Sequence, residues 1–212
     1  MPFAVTVTGG AGGSFYNFIQ TLEGSRGPVV SFPLGSFLNT SGTVNMLFPQ
    51  PGDRLPTDLW SLMISNTELV GENINTRIQT RYVGSAPPAS GTFALVAAVP
   101  AFTTSQVNGA PVPSWVASGS IPADYQQPTS IVSAAFAGGN LGQLFTIAAT
   151  RAWLQANNMG TNYTLTSPTL PGFLQAWAPA APLDNATVIM LGTNLTTAPT
   201  AGSVINIGSR TQ

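Results

Sequence analysis

Lysine, histidine and cysteine are all absent from this chain, and each absence removes a class of chemistry. Without histidine or cysteine there is no Ser-His-Asp or Cys-His nucleophile and no usual zinc site. Without lysine there is no Ser-Lys dyad, no Schiff base and no phosphate-binding P-loop lysine. The missing cysteines also exclude the disulfide framework that staples small extracellular scaffolds. Charge of either sign is scarce: six arginines and seven carboxylates leave a net charge of −1. Charged residues form 6% of the chain, where roughly a quarter is ordinary for a soluble protein. Long apolar runs are missing too. The run over residues 93–101 contains Pro100 and is far below the ~18 residues of a membrane-spanning helix. The opening Met1-Pro2-Phe3-Ala4-Val5-Thr6 lacks the basic start and apolar stretch of an export signal.

The remaining inventory offers little to a catalyst. Asp53 with Asp58, or Glu68 with Glu72, are carboxylate pairs of the type that acts as acid and base on a glycoside. Aspartates in turns or helix caps and solvated glutamates explain the same residues more simply. Gly9-Gly10-Ala11-Gly12-Gly13 lacks the Lys-Ser/Thr ending of a phosphate loop and reads as a linker. Trp60, Trp115, Trp153 and Trp177 can stack sugars or bases, although core or interface anchoring is their commoner use. Four Asn-x-Ser/Thr sequons, at Asn39, Asn162, Asn185 and Asn194, are expected by chance in so polar a chain. Neither an enzyme, nor a cofactor, nor a bound metal is expected.

What is present is an ordinary hydrophobic content of 43%, with Ser, Thr, Asn, Gln, 22 glycines and 18 prolines in place of the charges. The 212 residues suffice for one domain with a real core. A surface so poor in charge has little repulsion to hold subunits apart, which points to a chain buried against copies of itself. A secreted or cell-surface Thr/Asn-rich β-sandwich, lectin-like or adhesin-like, shares this composition and is the alternative.

Segments of β-branched and aromatic residues, separated by Gly, Pro and Asn clusters, predict strands over residues 3–8, 29–38, 43–48, 74–83, 92–99, 130–136, 144–150, 162–166, 173–178, 187–193 and 203–208. About eight of them are expected to form the core. Residues 57–68 predict a helix, capped by Thr57 or Asp58, with Leu59, Leu62, Met63 and Asn66 on one face. Short helices are also expected near Ser105 or Leu141. Residues 9–14 predict a flexible hinge between the first strand and the rest, within an N-terminal segment, 1–25, that precedes a jelly-roll shell domain, 26–212. In the 74–82 segment the alternation puts Ile74, Thr76, Ile78, Thr80 and Tyr82 on one face, read as core. Asn75, Arg77, Gln79 and Arg81 fall on the other, where the arginines can meet a neighbour's carboxylate or a phosphate.

The order of motifs carries a resemblance. Leu47-Phe48-Pro49-Gln50-Pro51-Gly52 is followed by the expected Trp60 helix, then Arg81-Tyr82-Val83, a Pro87-Pro88 loop and Gly91-Thr92-Phe93-Ala94-Leu95. This arrangement resembles the B, C and D strands of coat proteins from small positive-strand RNA viruses of the sobemovirus and tombusvirus kind. The match is good over residues 43–100 and looser beyond. Within that group, the size and the missing basic arm point to the mushroom-infecting bacilliform viruses, the barnaviruses. The resemblance implies an eight-stranded jelly-roll β-sandwich, two four-stranded sheets face to face, with short helices in its loops. It implies a virion protein, assembled in the host cytoplasm, whose work is to enclose single-stranded RNA.

Two family features are missing. Residues 1–25 contain no basic residue, so genome binding by a cationic arm there is not expected. The stretch Val99-Pro100-Ala101-Phe102 has no carboxylate where the family holds calcium. RNA contact is therefore expected to be weak. It would rest on Arg26, Arg54, Arg77, Arg81, Arg151 and Arg210, each alternatively a contact between subunits.

Overall fold

Alternating β-branched and small polar residues, punctuated by Gly, Pro and Asn, fold into strands along nearly the whole chain. The computed structural model describes residues 2–8, 15–24, 27–38, 42–47, 55–84, 91–107, 114–138, 143–177 and 183–212. In chain order the strands are β1 (Pro2–Thr8), β2 (Phe15–Gly24), β3 (Gly27–Leu38), β4 (Gly42–Leu47), β5 (Leu59–Val70), β6 (Asn73–Val83), β7 (Gly91–Ala94), β8 (Thr103–Val107), β9 (Ser114–Ser120), β10 (Ile131–Gly138), β11 (Gln143–Thr150), β12 (Asn162–Thr166), β13 (Leu183–Thr193) and β14 (Val204–Thr211). The one α-helix among the described residues, α1 (Arg151–Ala156), has six residues and is capped by the Thr150 hydroxyl. No helix among them is long and apolar enough to cross a membrane.

The fold is all-β. An antiparallel sheet of eight strands runs in the order β11-β10-β13-β14-β6-β5-β2-β3, beside an antiparallel β12-β9-β8 sheet. In a third sheet β1 pairs antiparallel with β4 and parallel with β7. This differs from two four-stranded sheets. The expected strands 74–83 and 92–99, which the resemblance matches to a paired C and D, appear as β6 and β7 in different sheets.

Four expected elements are corrected. Residues 57–68 are not a helix: β5 runs through them between β2 and β6. Trp60, Leu62, Ile64 and Asn66 turn inward at every second position. Partner strands on both sides override a weak helical spacing, and Asp58 instead closes a turn by accepting the Leu55 amide at 2.8 Å. Of the strand expected over 173–178, the described residues 173–177 are not a strand either; Pro171 opens a 3-10 turn, Gly172–Trp177, in which the Leu174 amide donates to the Pro171 carbonyl. The strand expected over 92–99 ends at Ala94: the Leu95 amide still reaches the Thr8 carbonyl of β1, but from Val96 the backbone bonds to the side chains of Arg77, Asp124 and Asn75. Near Ser105 the chain is β8 rather than a helix. Strands β2 and β9 and the helix α1 were not expected. Leu141, the Gly9–Ser14 hinge and the Pro87-Pro88 loop lie outside the described residues.

The core lies between one half of the large sheet and the β12-β9-β8 sheet. Val132, Ala134 and Phe136 of β10 and Ala186, Val188 and Met190 of β13 face Trp115 and Ala117 of β9 and Tyr163 and Leu165 of β12. The inward set recurs at every second residue, as the pleat requires. Full burial of such side chains is worth about 1.5–3 kcal/mol each. A 3-10 turn at Ala123–Tyr125 lies against the glycines of β13 and β14. A Cβ at Gly192 would come within 2.5 Å of the Asp124 carbonyl oxygen, and one at Gly208 would collide with the Tyr125 hydroxyl. The Tyr125 hydroxyl donates to the Ala97 carbonyl at 2.8 Å.

Two predictions follow from this packing. Gly192→Ala should lower stability by about 1–3 kcal/mol through overpacking, read by urea unfolding; an unchanged midpoint would contradict the close approach. The second concerns alkaline pH. Burial pushes the Tyr125 phenol well above its ordinary value, with Asp124 adding and Arg77 opposing, and burial alone does the same to Tyr163. A folded value raised above the unfolded one gives stability that is complete below about pH 10, the ordinary phenol range, and is lost as pH rises beyond it. Phenolate absorbance from these two residues should appear only together with unfolding. Tyr125→Phe/Tyr163→Phe should flatten the alkaline fall in stability, and an equal slope in this variant would refute the assignment.

Candidate functional site

Strand β6 alternates as its sequence predicts, but inside out. Asn75, Arg77 and Gln79 are buried, Arg77 to 5% exposure, whereas Ile74 is 46% exposed and Thr76, Ile78 and Thr80 are only part-buried. The polar face is the inner one. Its partners explain why. Arg77 stands opposite Asn66 of β5, and Asn75 opposite Glu68, on the same face. Arg77 donates from Nε and Nη2 to Asn66 Oδ1 at 3.0 and 2.6 Å, from Nη1 to the Val96 carbonyl at 3.3 Å, and forms an ion pair with Glu68. Asn75 donates to the Val99 carbonyl at 3.3 Å.

The network continues across the sheet. Arg81 Nε donates to Gln79 at 2.9 Å, Gln79 to Asn206 at 3.2 Å, and Asn206 to the Asp124 carbonyl at 3.0 Å. Asp124 in turn accepts the Ala97 amide at 2.7 Å. The chain's scarce charges therefore clamp the crossing segment 95–99 and the 3-10 turn onto the sheet.

The predicted arginine set is accordingly dispersed. Arg77 is internal and paired, so its guanidinium meets neither solvent nor a neighbour's phosphate. Arg81 is half-buried beside a cleft of about 480 Å3 formed with Tyr82, Gly84 and Ser203. Burial holds it below its ordinary value, though an arginine remains cationic at any physiological pH. Arg151 opens α1 and donates to the Gly160 carbonyl. Arg210 is half-buried on the inner face of β14, opposite Asn75 and Val188. Arg26 and Arg54 lie outside the described residues, as does Asp53. Glu68 is committed to Arg77 and Asp58 to its turn, and among the described residues no cluster of three or more acids could hold a metal. Trp60 and Trp115 are buried while Trp153 and Trp177 are exposed.

The outer face of the large sheet is the feature that residue-by-residue reading missed. Cross-strand register aligns Ile78, Ile207, Leu191 and Ile131 in one row, and Thr76, Ser209, Ile189 and Ser133 in the next. From β11 to β5 this face carries aliphatic, alanine, serine and threonine side chains with Met63, Tyr82 and Asn185, and no charged residue among the described side chains. Ile74, Ile131 and Ile189 are exposed on it. A signal was present in Thr187-Val188-Ile189-Met190-Leu191, which is apolar at both parities, as strands covered on both faces are. One side, Val188 and Met190, meets the core; the other meets solvent.

At one end of this face lies an apolar groove of about 580 Å3 between β11 and the Gly172–Trp177 turn. Leu144, Phe145, Leu170, Leu174 and Trp177 line it, and its polar side chain, Gln143, already donates to the Ala176 carbonyl. That wall lacks the convergent polar groups a sugar site needs. Comparisons with protein-family models, curated proteins and solved structures returned no match.

The buried pair gives a direct prediction. Arg77→Met removes the buried counter-charge of Glu68 and should cost about 3–5 kcal/mol, whereas Arg77→Met/Glu68→Gln should recover a large part of it, measured by urea unfolding. A near-neutral Arg77→Met would mean that the pair does not hold the inner face.

Proposed function

We propose that this chain is a structural subunit that assembles with copies of itself, of the viral coat type, into a shell around single-stranded RNA. The observation that carries the reading is the neutral outer face, with β13 apolar on both sides and only one side covered. Leaving a large aliphatic side chain in water forfeits up to about 1.5–3 kcal/mol. Several such residues together approach the roughly 4–15 kcal/mol that association costs in lost freedom. The motif order of residues 43–95 and the scarcity of surface charge support the same reading. The jelly roll belongs to this proposal only as a plan from which the present sheets derive, since their order departs from two four-stranded layers. RNA contact then rests on Arg26, Arg54, Arg81, Arg151 and Arg210, with Arg77 withdrawn to the interior. A virion, assembled in host cytoplasm, is the corresponding location.

Sedimentation and electron microscopy of the purified chain test the proposal. Large closed particles are expected at neutral pH, and a stable monomer of 21.9 kDa at high concentration would overturn it. Ile189→Glu should stay folded yet raise the concentration at which assembly begins at least ~10-fold, because association would bury an unpaired carboxylate. If this variant assembles like the parent chain, the outer face is not the contact.

A further inference from the structure

The β5–β6 hairpin ends in an exposed tip. Among the described residues β5 pairs with β2 as far as Thr67 and β6 with β14 as far as Asn75, and beyond these rungs Leu69 and Val70 pair with Ile74 and Asn73. Val70 pairs with Asn73 across a two-residue turn whose first position, Gly71, has φ +66°. Only glycine takes that position readily, which makes the tip tight and preformed. It carries three apolar side chains beside Glu72 and Asn73: Leu69 is 69% exposed, and Val70 and Ile74 are exposed with it.

The groove beside Trp177, itself 72% exposed, lies at the same end of the same sheet. Asn75 is opposite Arg210, Arg210 opposite Val188, Val188 opposite Ala134 and Ala134 opposite Ile147, and both Leu144 and the hairpin tip lie beyond that rung in the same direction. Four strand spacings separate β6 from β11, about 19 Å at ~4.8 Å each. The tip therefore cannot enter the groove of its own chain.

The geometry points to a contact between copies in which the Leu69–Val70 tip of one chain enters the Trp177 groove of the next. This rests on the self-assembly reading and adds to it which surfaces meet. Charge favours it, because the described groove lining is uncharged and Glu72, the only charged residue of the turn, would stay at the rim. Size favours it as well: two or three aliphatic side chains fit within about 580 Å3. A rigid tip also loses little conformational freedom on docking. Since tip and groove are different surfaces, the contact is heterologous and propagates from copy to copy, closing into rings or shells where the rotation allows.

The absence of cysteine makes engineered thiols unambiguous. Val70→Cys and Leu174→Cys should each fail to cross-link alone, give covalent dimers when mixed, and give covalent ladders when combined in one chain. Leu69→Asp and Trp177→Ala should each raise the assembly threshold about tenfold, and the double variant no further than the worse single one, as expected for groups in contact. Thermal melts would check that each variant is folded. Cross-linking of Val70→Cys with itself, or normal assembly by both Leu69→Asp and Trp177→Ala, overturns this contact while leaving self-assembly intact. A parent chain that stays monomeric overturns both.

Discussion

The buried Arg77 guanidinium sets the orientation of the large sheet. A cation loses far more hydration energy inside a protein than it can regain from one partner, so it is tolerated only where several acceptors converge. Here Glu68 and Asn66 come from the adjacent strand and Val96 from a segment crossing above. With Arg77 inward, the pleat forces Ile74, Thr76 and Ile78 outward. The crossing segment is held where Asn75, Asp124 and Tyr125 also reach it. Tyr125 then fits against Gly208, and the 3-10 turn closes the core over β13 and β14.

The same arrangement explains the surface. A chain with six arginines and seven carboxylates has few charges to place, and it commits Arg77, Glu68 and Asp124 to internal contacts. What remains outside on six strands is mostly hydroxyl and hydrocarbon. Such a face tolerates a copy of itself or of another neutral surface without like-charge repulsion, and salt screens nothing there. Its threonines keep it wettable, while its isoleucines and leucines provide the gain on burial.

Strand positions were largely legible because period-two alternation with Gly/Pro punctuation is a local signal, as at residues 130–136, 144–150, 162–166 and 203–208. Which face points inward was not. In 74–82 the alternation separated two sets correctly, but the ordinary preference for exposed arginine assigned them backwards. The acceptors that reverse it sit at Asn66, Glu68 and Val96, contributed by other segments. Residues 57–68 failed for a related reason: Leu59, Leu62 and Met63 suit a helix face, and only the partners β2 and β6 decide for a strand. At 173–178 Phe173 and Trp177 resemble strand residues, yet Pro171 starts a turn. For the candidate site, the scarcity of charge was visible at once. The outer rows and the groove were not, because each is assembled from side chains of separate segments.

A neutral interface has one physical weakness, which is orientation. Charged rims fix register and reject wrong partners by repulsion, and this chain has almost none to use. Flat aliphatic faces can slide over one another at little cost, so burial alone would give irregular aggregates rather than closed particles. Shape must then supply what charge does not. In the proposed assembly a preformed hairpin tip and an apolar groove at the same end of the sheet, too far apart to satisfy each other, would provide that constraint. With the outer face they would give a broad contact for affinity and a narrow one for angle, the combination that closure of a shell from identical subunits requires.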